Sequence, residues 1–306
     1  MFQRILVPLD GSPRAELILA HVEHLWKREA SELLLVRSVS ADGPANGGYD
    51  SAAALVHERN EAESYLHGVA RRLAAGGARA FTRVPEGLPS GAILDAARRE
   101  GATMIAMTTH GRTGLLKWLM GGVADQVVRA SDVPVLLLRP FPLPAVESAI
   151  SHGAPFRRIL IATDGSLSSM AIVDPAMEFA ALFGSEIIAL HVWDSYVFDG
   201  APLPGMEAGM PIPLEAPLPS EDEVTERMAR RLGLSGLKVT RATRYGEAAS
   251  EILDHSFEHK VDLIALATDH HRGLSRWMTG SVADRVLRSA GIPLLLVRPT
   301  EKPALV

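Results

Sequence analysis

Residues 114–140 return without a gap at 273–299. The two segments, GLLKWLMGGVADQVVRASDVPVLLLRP and GLSRWMTGSVADRVLRSAGIPLLLVRP, agree at 14 of 27 positions. A second anchor lies upstream, where Arg4-Ile5-Leu6-Val7-Pro8-Leu9-Asp10-Gly11-Ser12 returns as Arg158-Ile159-Leu160-Ile161-Ala162-Thr163-Asp164-Gly165-Ser166. Short repeats build solenoids, but these offsets of 154 and 159 residues are whole-domain distances. The chain therefore reads as one compact domain written twice, each copy near the common domain size of about 100–150 residues. The expected division is 1–140 for the first domain, 141–155 for a linker carrying Pro142, Pro144 and Pro155, and 156–300 for the second.

Each copy alternates short apolar runs with helical patterns. In copy one the strands fall near 5–9, 33–39, 79–84, 103–108 and 133–139, with helices near 13–28, 57–75, 88–99 and 122–130 and a Gly/Asn/Pro loop over 41–51. Ser12 is placed as an N-cap and Pro13 as the first helical residue, positions those side chains favour. Copy two repeats the order, with strands near 158–163, 186–192, 238–243, 261–267 and 292–298. Continuous apolar strands between helices predict parallel sheets covered on both faces and right-handed crossovers. The segment 194–220 holds six prolines and no periodicity, and reads as a long loop or a disordered stretch.

Composition removes whole classes of chemistry. With 31 basic against 36 acidic residues the net charge is −5, so no global basic field draws the chain to nucleic acid or an anionic membrane. The absence of cysteine excludes disulfides, thiolate catalysis and Cys-ligated zinc. No apolar run approaches the roughly 18 residues that span a bilayer. The first strand begins by Arg4, which leaves no room for a signal peptide, and a cytoplasmic protein is expected.

Doubly wound parallel sheets hold ligands at the carboxyl ends of their strands. Asp10 and Asp164 lie there, either facing a ligand or as turn residues whose carboxylates satisfy nearby backbone N–H groups. The loop after the fourth strand, Thr108-Thr109-His110-Gly111-Arg112-Thr113-Gly114, runs on to Gly121-Gly122 at a helix start. Glycines let backbone approach a ligand, and a helix N-terminus attracts phosphate. This loop reads either as a phosphate cradle or as a tight connection. No Walker A loop or dinucleotide fingerprint is present. His110, His270 and His271 invite a metal, but no HExxH or comparable spacing is read in the chain, so no metal ligand is assigned. Trp118 and Trp277, at equivalent positions, read as packing anchors.

Together these segments, with Gly121-Gly122-Val123-Ala124 and Val133-Pro134-Val135-Leu136-Leu137-Leu138-Arg139, resemble the universal stress protein family across both copies. The resemblance implies two tandem five-stranded parallel α/β sheets of strand order 3-2-1-4-5, the adenine nucleotide alpha hydrolase-like architecture. It also implies ATP, with Mg²⁺, as ligand in those members whose loop has the form G-x2-G-x9-G-[S/T]. Here the four positions are Thr108, Gly111, Gly121 and Gly122 in copy one, and Ala267, His270, Gly280 and Ser281 in copy two, so neither loop is complete. By the same resemblance the nucleotide-binding residues are Pro8, Asp10, Ser38, Thr108, His110, Gly111, Arg112, Gly114, Gly121, Gly122 and Val123 in copy one. In copy two they are Asp164, Val192, Gly280, Ser281 and Val282.

Two readings stay open. In one, the chain is a cytoplasmic ATP-binding stress-response regulator, with copy one the favoured site, Asp10 the nearby Mg²⁺ ligand, and at most slow hydrolysis because no base or nucleophile is positioned. In the other, it is a nucleotide-independent interaction protein with degenerate sites. The resemblance further implies that the two last strands pair, giving an intramolecular pseudo-dimer, and that tandem chains form a homodimer.

Overall fold

A computed structural model describes residues 2–40, 51–109, 122–139, 156–193, 222–233, 236–268 and 281–299. The chain divides into two compact units, one of Met1–Pro155 with Gly291–Val306 and one of Phe156–Ala290.

The first unit runs β1 (Arg4–Pro8), α1 (Pro13–Glu29), β2 (Glu32–Val36), α2 (Ser51–Ala75), β3 (Arg79–Arg83), α3 (Pro89–Arg99), β4 (Met104–Thr108), α4 (Val123–Ala130) and β5 (Val135–Leu138). The strands lie in the order β3-β2-β1-β4-β5, the expected topology. Pairing is parallel throughout, for example Ile5 opposite Leu33 and Leu6 opposite Ile105. The sixth strand is β10 (Leu294–Val297), the last of copy two, which runs antiparallel to β5 with Leu295 opposite Leu136. Arg298 extends this contact by donating from Nε to the Ser131 carbonyl at 3.1 Å and pairing with Asp132.

The second unit runs β6 (Arg158–Ala162), a 3₁₀ turn (Ser169–Ile172), α5 (Val173–Phe183), β7 (Glu186–Trp193), α6 (Asp222–Gly233), β8 (Val239–Tyr245), α7 (Ala248–Glu258), β9 (Leu263–Ala267) and α8 (Ser281–Ser289). Its parallel strands lie in the order β9-β6-β7-β8.

Local chemistry explains the elements. The Ser12 hydroxyl accepts from the Ala15 amide at 3.1 Å and Pro13 follows at the helix start. From there α1 buries Ala15, Ile18, Val22, Leu25 and Trp26, an i, i+3, i+4, i+7 stripe. In copy two the Ser166 hydroxyl accepts from the Ser169 amide at the same 3.1 Å, but a 3₁₀ turn intervenes. Pro175 has no N–H and is tolerated only in a helix's first turn, so the α-helix proper begins at Val173.

The central strands β1, β2, β4 and β6 are buried on both faces, as continuous apolar runs demand. The lateral strands depart from that expectation. In β3 exposed and half-buried residues alternate, and β8 has no buried residue, with Arg79, Arg83, Arg241 and Arg244 placing charge along them. Helix α2 begins at Ser51 rather than at 57, and β2 stops at Val36, three residues short of the expected end. Val39 continues only as an isolated bridge to Glu86. In the second core, Phe156, Phe179 and Phe183 meet with ring centroids 5.0–5.1 Å apart.

Candidate functional site

Both copies turn at the carboxyl end of their first strand in the same way. Asp10 Oδ1 accepts from the Ser12 amide at 2.9 Å, and Asp164 Oδ1 accepts from the Ser166 amide at 2.9 Å. The intervening glycines, Gly11 and Gly165, stand at φ +85° and +81°, where side chains with a Cβ are strained. The duplicated aspartates are thus turn-forming residues.

In copy two the turn is also the rim of a cavity of about 240 Å³. The turn contributes Thr163, Asp164 and Ser169, and β6 contributes Ala162. Leu190 and Val192 come from β7, Leu266 and Ala267 from β9, Ala248 and Ile252 from α7, and Val282 and Ala283 from α8. The walls are mostly aliphatic and the polar groups gather at one side.

Those polar groups form a connected set. The Ser169 hydroxyl donates to Asp164 Oδ1 at 2.5 Å and lies 2.5 Å from Thr163 Oγ1, which itself accepts from the Gly165 amide at 3.0 Å. Burial pulls the Asp164 carboxyl upward, but the hydrogen bonds from Ser169 and Ser166 outweigh it and hold the group below its usual range. The rim therefore presents an anion beside aliphatic walls.

The two helix starts differ. At α7 the Glu247 side chain accepts from the Ala249 and Ser250 amides at 3.2 and 3.0 Å, and Arg285 pairs with it at 2.5 Å. That terminus already has its anion. Helix α8 opens at Ser281, and the first amides of any helix have no acceptor within it. Val282 and Ala283 bring that end to the cavity.

His191 lies on β7 between Leu190 and Val192, and strand alternation turns it to the opposite sheet face. It is buried, its ring centroid is 4.5 Å from that of Trp193, and its Nδ1 has no partner among the described residues. Burial lowers its pKa, with Asp164 opposing.

Of the copy-two residues expected from sequence, Asp164, Val192 and Val282 come together in the cavity lining, with Ala267 from the loop motif. Ser281 is the first residue of α8. In copy one Pro8 ends β1, Thr108 is buried at the end of β4, and Ser38 follows β2. Gly122 is the N-cap of α4 at φ −65°, ψ 165°, and Val123 follows it, 37 % exposed. That backbone is open to any residue, so Gly122 is not required there by conformation.

His110, Gly111, Arg112, Gly114, Gly121 and Gly280 lie outside the described residues, as do His270, His271, Trp118, Trp277, the linker 141–155 and the loop 194–220.

The sequence reading missed the other lining residues, Ala162, Thr163, Ser169, Leu190, Ala248, Ile252, Leu266 and Ala283. Ser169 was signalled by the serine-rich run Ser166-Leu167-Ser168-Ser169, and Ala248 and Ile252 by the apolar face of α7. The statement that no metal-like histidine spacing exists is corrected as well. His255-Ser256-Phe257-Glu258-His259 has a His-x-x-Glu-His spacing, and its three ligand atoms lie within 4.8 Å of one another.

Among the described residues no helix is long and apolar enough to cross a membrane. A sequence profile of the universal stress protein family matches twice, over residues 1–139 and 155–298. A universal stress protein of Methanocaldococcus jannaschii is 32% identical over 147 residues, covering 48% of this chain and 85% of the relative. One of Mycobacterium tuberculosis strain H37Rv is 25% identical over 198 residues, covering 64% of this chain and 62% of the relative, so under two thirds of that protein is matched. The crystal structure of a universal stress protein from Archaeoglobus fulgidus has the same fold, with TM-score 0.71, 22% identity and 97% of each chain covered. With a twice-repeated α/β unit and a family profile spanning nearly all of both copies, this chain belongs to the universal stress protein family.

Proposed function

We propose that the second unit binds an adenine nucleotide and that the chain acts as a nucleotide-responsive regulator. The observation that carries this reading is the cavity rimmed by Asp164 and walled by Leu190, Val192, Ile252 and Leu266. Aliphatic walls suit a planar base. An ionised carboxylate at the edge suits ribose hydroxyls, which donate to it. The amide-bearing start of α8 suits phosphate oxygens.

Size sharpens the assignment. About 240 Å³ falls below the roughly 300–1,000 Å³ of sites that enclose a whole drug-sized ligand. The cavity takes base and ribose, and the phosphates extend past Val282. Mg²⁺ would travel with those phosphates, because it keeps most of its water and uses few protein oxygens. Sequence favoured copy one for this role. The cavity moves the emphasis to copy two, whose sequence has Ser281 at the loop-motif position that Gly122 fills in copy one.

A second reading, a nucleotide-independent interaction protein, draws on Ala267, which puts a Cβ in the cavity wall where the family's ATP binders carry glycine. Thermal melting separates the two. ATP at millimolar concentration should raise the midpoint of the intact chain, GTP should raise it less, and Ala267→Leu should abolish the difference. An unchanged midpoint with every nucleotide supports the interaction protein.

A further inference from the structure

The last turn of α7 and its C-cap residue gather His255, Glu258 and His259 on one face, as positions i, i+3 and i+4 do. One ligand atom from each lies within 4.8 Å of the others, and the two imidazole centroids are 4.1 Å apart at a 37° tilt. His255 is buried, whereas Glu258 and His259 are exposed, so the group has one protein wall and one open side.

Arg244 of β8 already holds two of the three. Its Nε donates to His255 Nδ1 at 3.1 Å and its guanidinium pairs with Glu258. A donor on Nδ1 means that this nitrogen presents its lone pair, the form in which imidazole binds a metal. The guanidinium thus sits where a small cation would meet both an imidazole nitrogen and a carboxylate oxygen. The same contacts would be expected if Arg244 only pinned α7 to β8, and metal titration distinguishes the cases.

We propose that His255, Glu258 and His259 form a binding site for a divalent transition metal of the zinc class, with Arg244 as a resident cation that yields to the metal. Two imidazoles and one carboxylate are the donor set that suits zinc, and three protein ligands leave a coordination position open. The site is separate from the nucleotide cavity, to which α7 gives Ala248 and Ile252 instead. It follows that metal binding replaces the Arg244 contact between β8 and α7 by coordination within α7 alone.

The test is calorimetric titration of Zn²⁺ alone into the intact chain, freed of metal by chelator and dialysis, with Co²⁺ absorption as a geometric readout. Expected is a site whose affinity falls about 10-fold or more in His259→Gln. His259 is exposed at the helix end, so this variant should keep its fold, and circular dichroism checks that. Arg244→Met should tighten binding about tenfold by removing the competing cation. Co²⁺ should give an intense tetrahedral visible band in the wild type and none in His259→Gln. Equal Zn²⁺ affinity in wild type and His259→Gln, or no binding at all, overturns the site. Binding by Arg244→Met that is no tighter than wild type overturns the role given to Arg244.

Discussion

Ser169 donates its hydroxyl to Asp164 Oδ1 at 2.5 Å while lying the same 2.5 Å from Thr163 Oγ1. This bond does two things. It fixes the turn after β6, and it keeps the carboxylate at the cavity rim ionised despite its partial burial. The same residue thus serves the fold and the proposed ligand.

Ser169→Ala removes the strongest of the groups holding the Asp164 pKa down. The Asp164 carboxyl should titrate higher in the variant, as followed by carboxyl-carbon NMR. The loss of one hydrogen bond to a charged group should cost about 1.5–3 kcal/mol at neutral pH. The sign follows from linkage: a carboxyl depressed in the folded state contributes stability at neutral pH that is lost as pH falls through its folded value. The two proteins should therefore converge in stability on acidification, and a gap that widens instead would argue against the assignment.

His21, buried on α1, is held down to about 4, first by burial and then by the neighbouring His24, against a backbone hydrogen bond to Leu17. A histidine whose folded pKa lies below its ordinary 6.5 makes the unfolded state bind the extra proton between those values. Stability should then fall as pH drops through that window, by up to about 1.4 kcal/mol per unit from this group. Chemical denaturation of wild type and His21→Gln between pH 7 and 4.5 should show a shallower decline in the variant. Parallel curves would remove His21 as a source of acid sensitivity.

Gly165 and Gly11 share a left-handed backbone but not their surroundings. A Cβ at Gly165 would come within 2.7 Å of Val224 Cγ2, while the nearest atom to one at Gly11 is in the Arg37 guanidinium, at 3.2 Å. Gly11→Ala should cost about 1 kcal/mol from backbone strain alone. Gly165→Ala should cost a further 1–3 kcal/mol or so, from overpacking against α6. Equal midpoint shifts in urea unfolding would show that Val224 moves aside freely.

Proteolysis within 141–155 should leave the two fragments together, because β10 remains paired with β5 and Arg298 remains on Ser131 and Asp132. Size exclusion of the nicked chain should give one peak at the intact position. Two peaks at half the mass would show that this pairing does not hold the fragments.

The repeated Asp-Gly-Ser turns, the Ser12 cap and the parallel strands were legible because each is a local event. A capped helix start or a buried strand declares itself within ten residues. The start of α2 was misplaced because the Gly/Asn/Pro stretch before it masked Ala52-Ala53-Ala54-Leu55, a run of good helix formers. The exposure of β3 and β8 depends on their lateral place in the sheet, which their own residues hint at only through Arg79, Arg83, Arg241 and Arg244. Asp164, Val192 and Val282 could be anticipated as strand-end and helix-start residues. Ile252 and Ser169 left only weak local signals, an apolar helix face and a serine-rich run, because their approach to the cavity depends on how α7 and the 3₁₀ turn pack.

The most direct test of the central claim is calorimetric titration of ATP with Mg²⁺ into the intact chain and into Ala267→Leu, whose larger side chain fills the copy-two cavity. Expected is micromolar binding to the intact chain that disappears in Ala267→Leu while the protein stays folded. Identical heats in both proteins, or no heat at millimolar ATP, would contradict an adenine nucleotide at Asp164, Val192 and Val282.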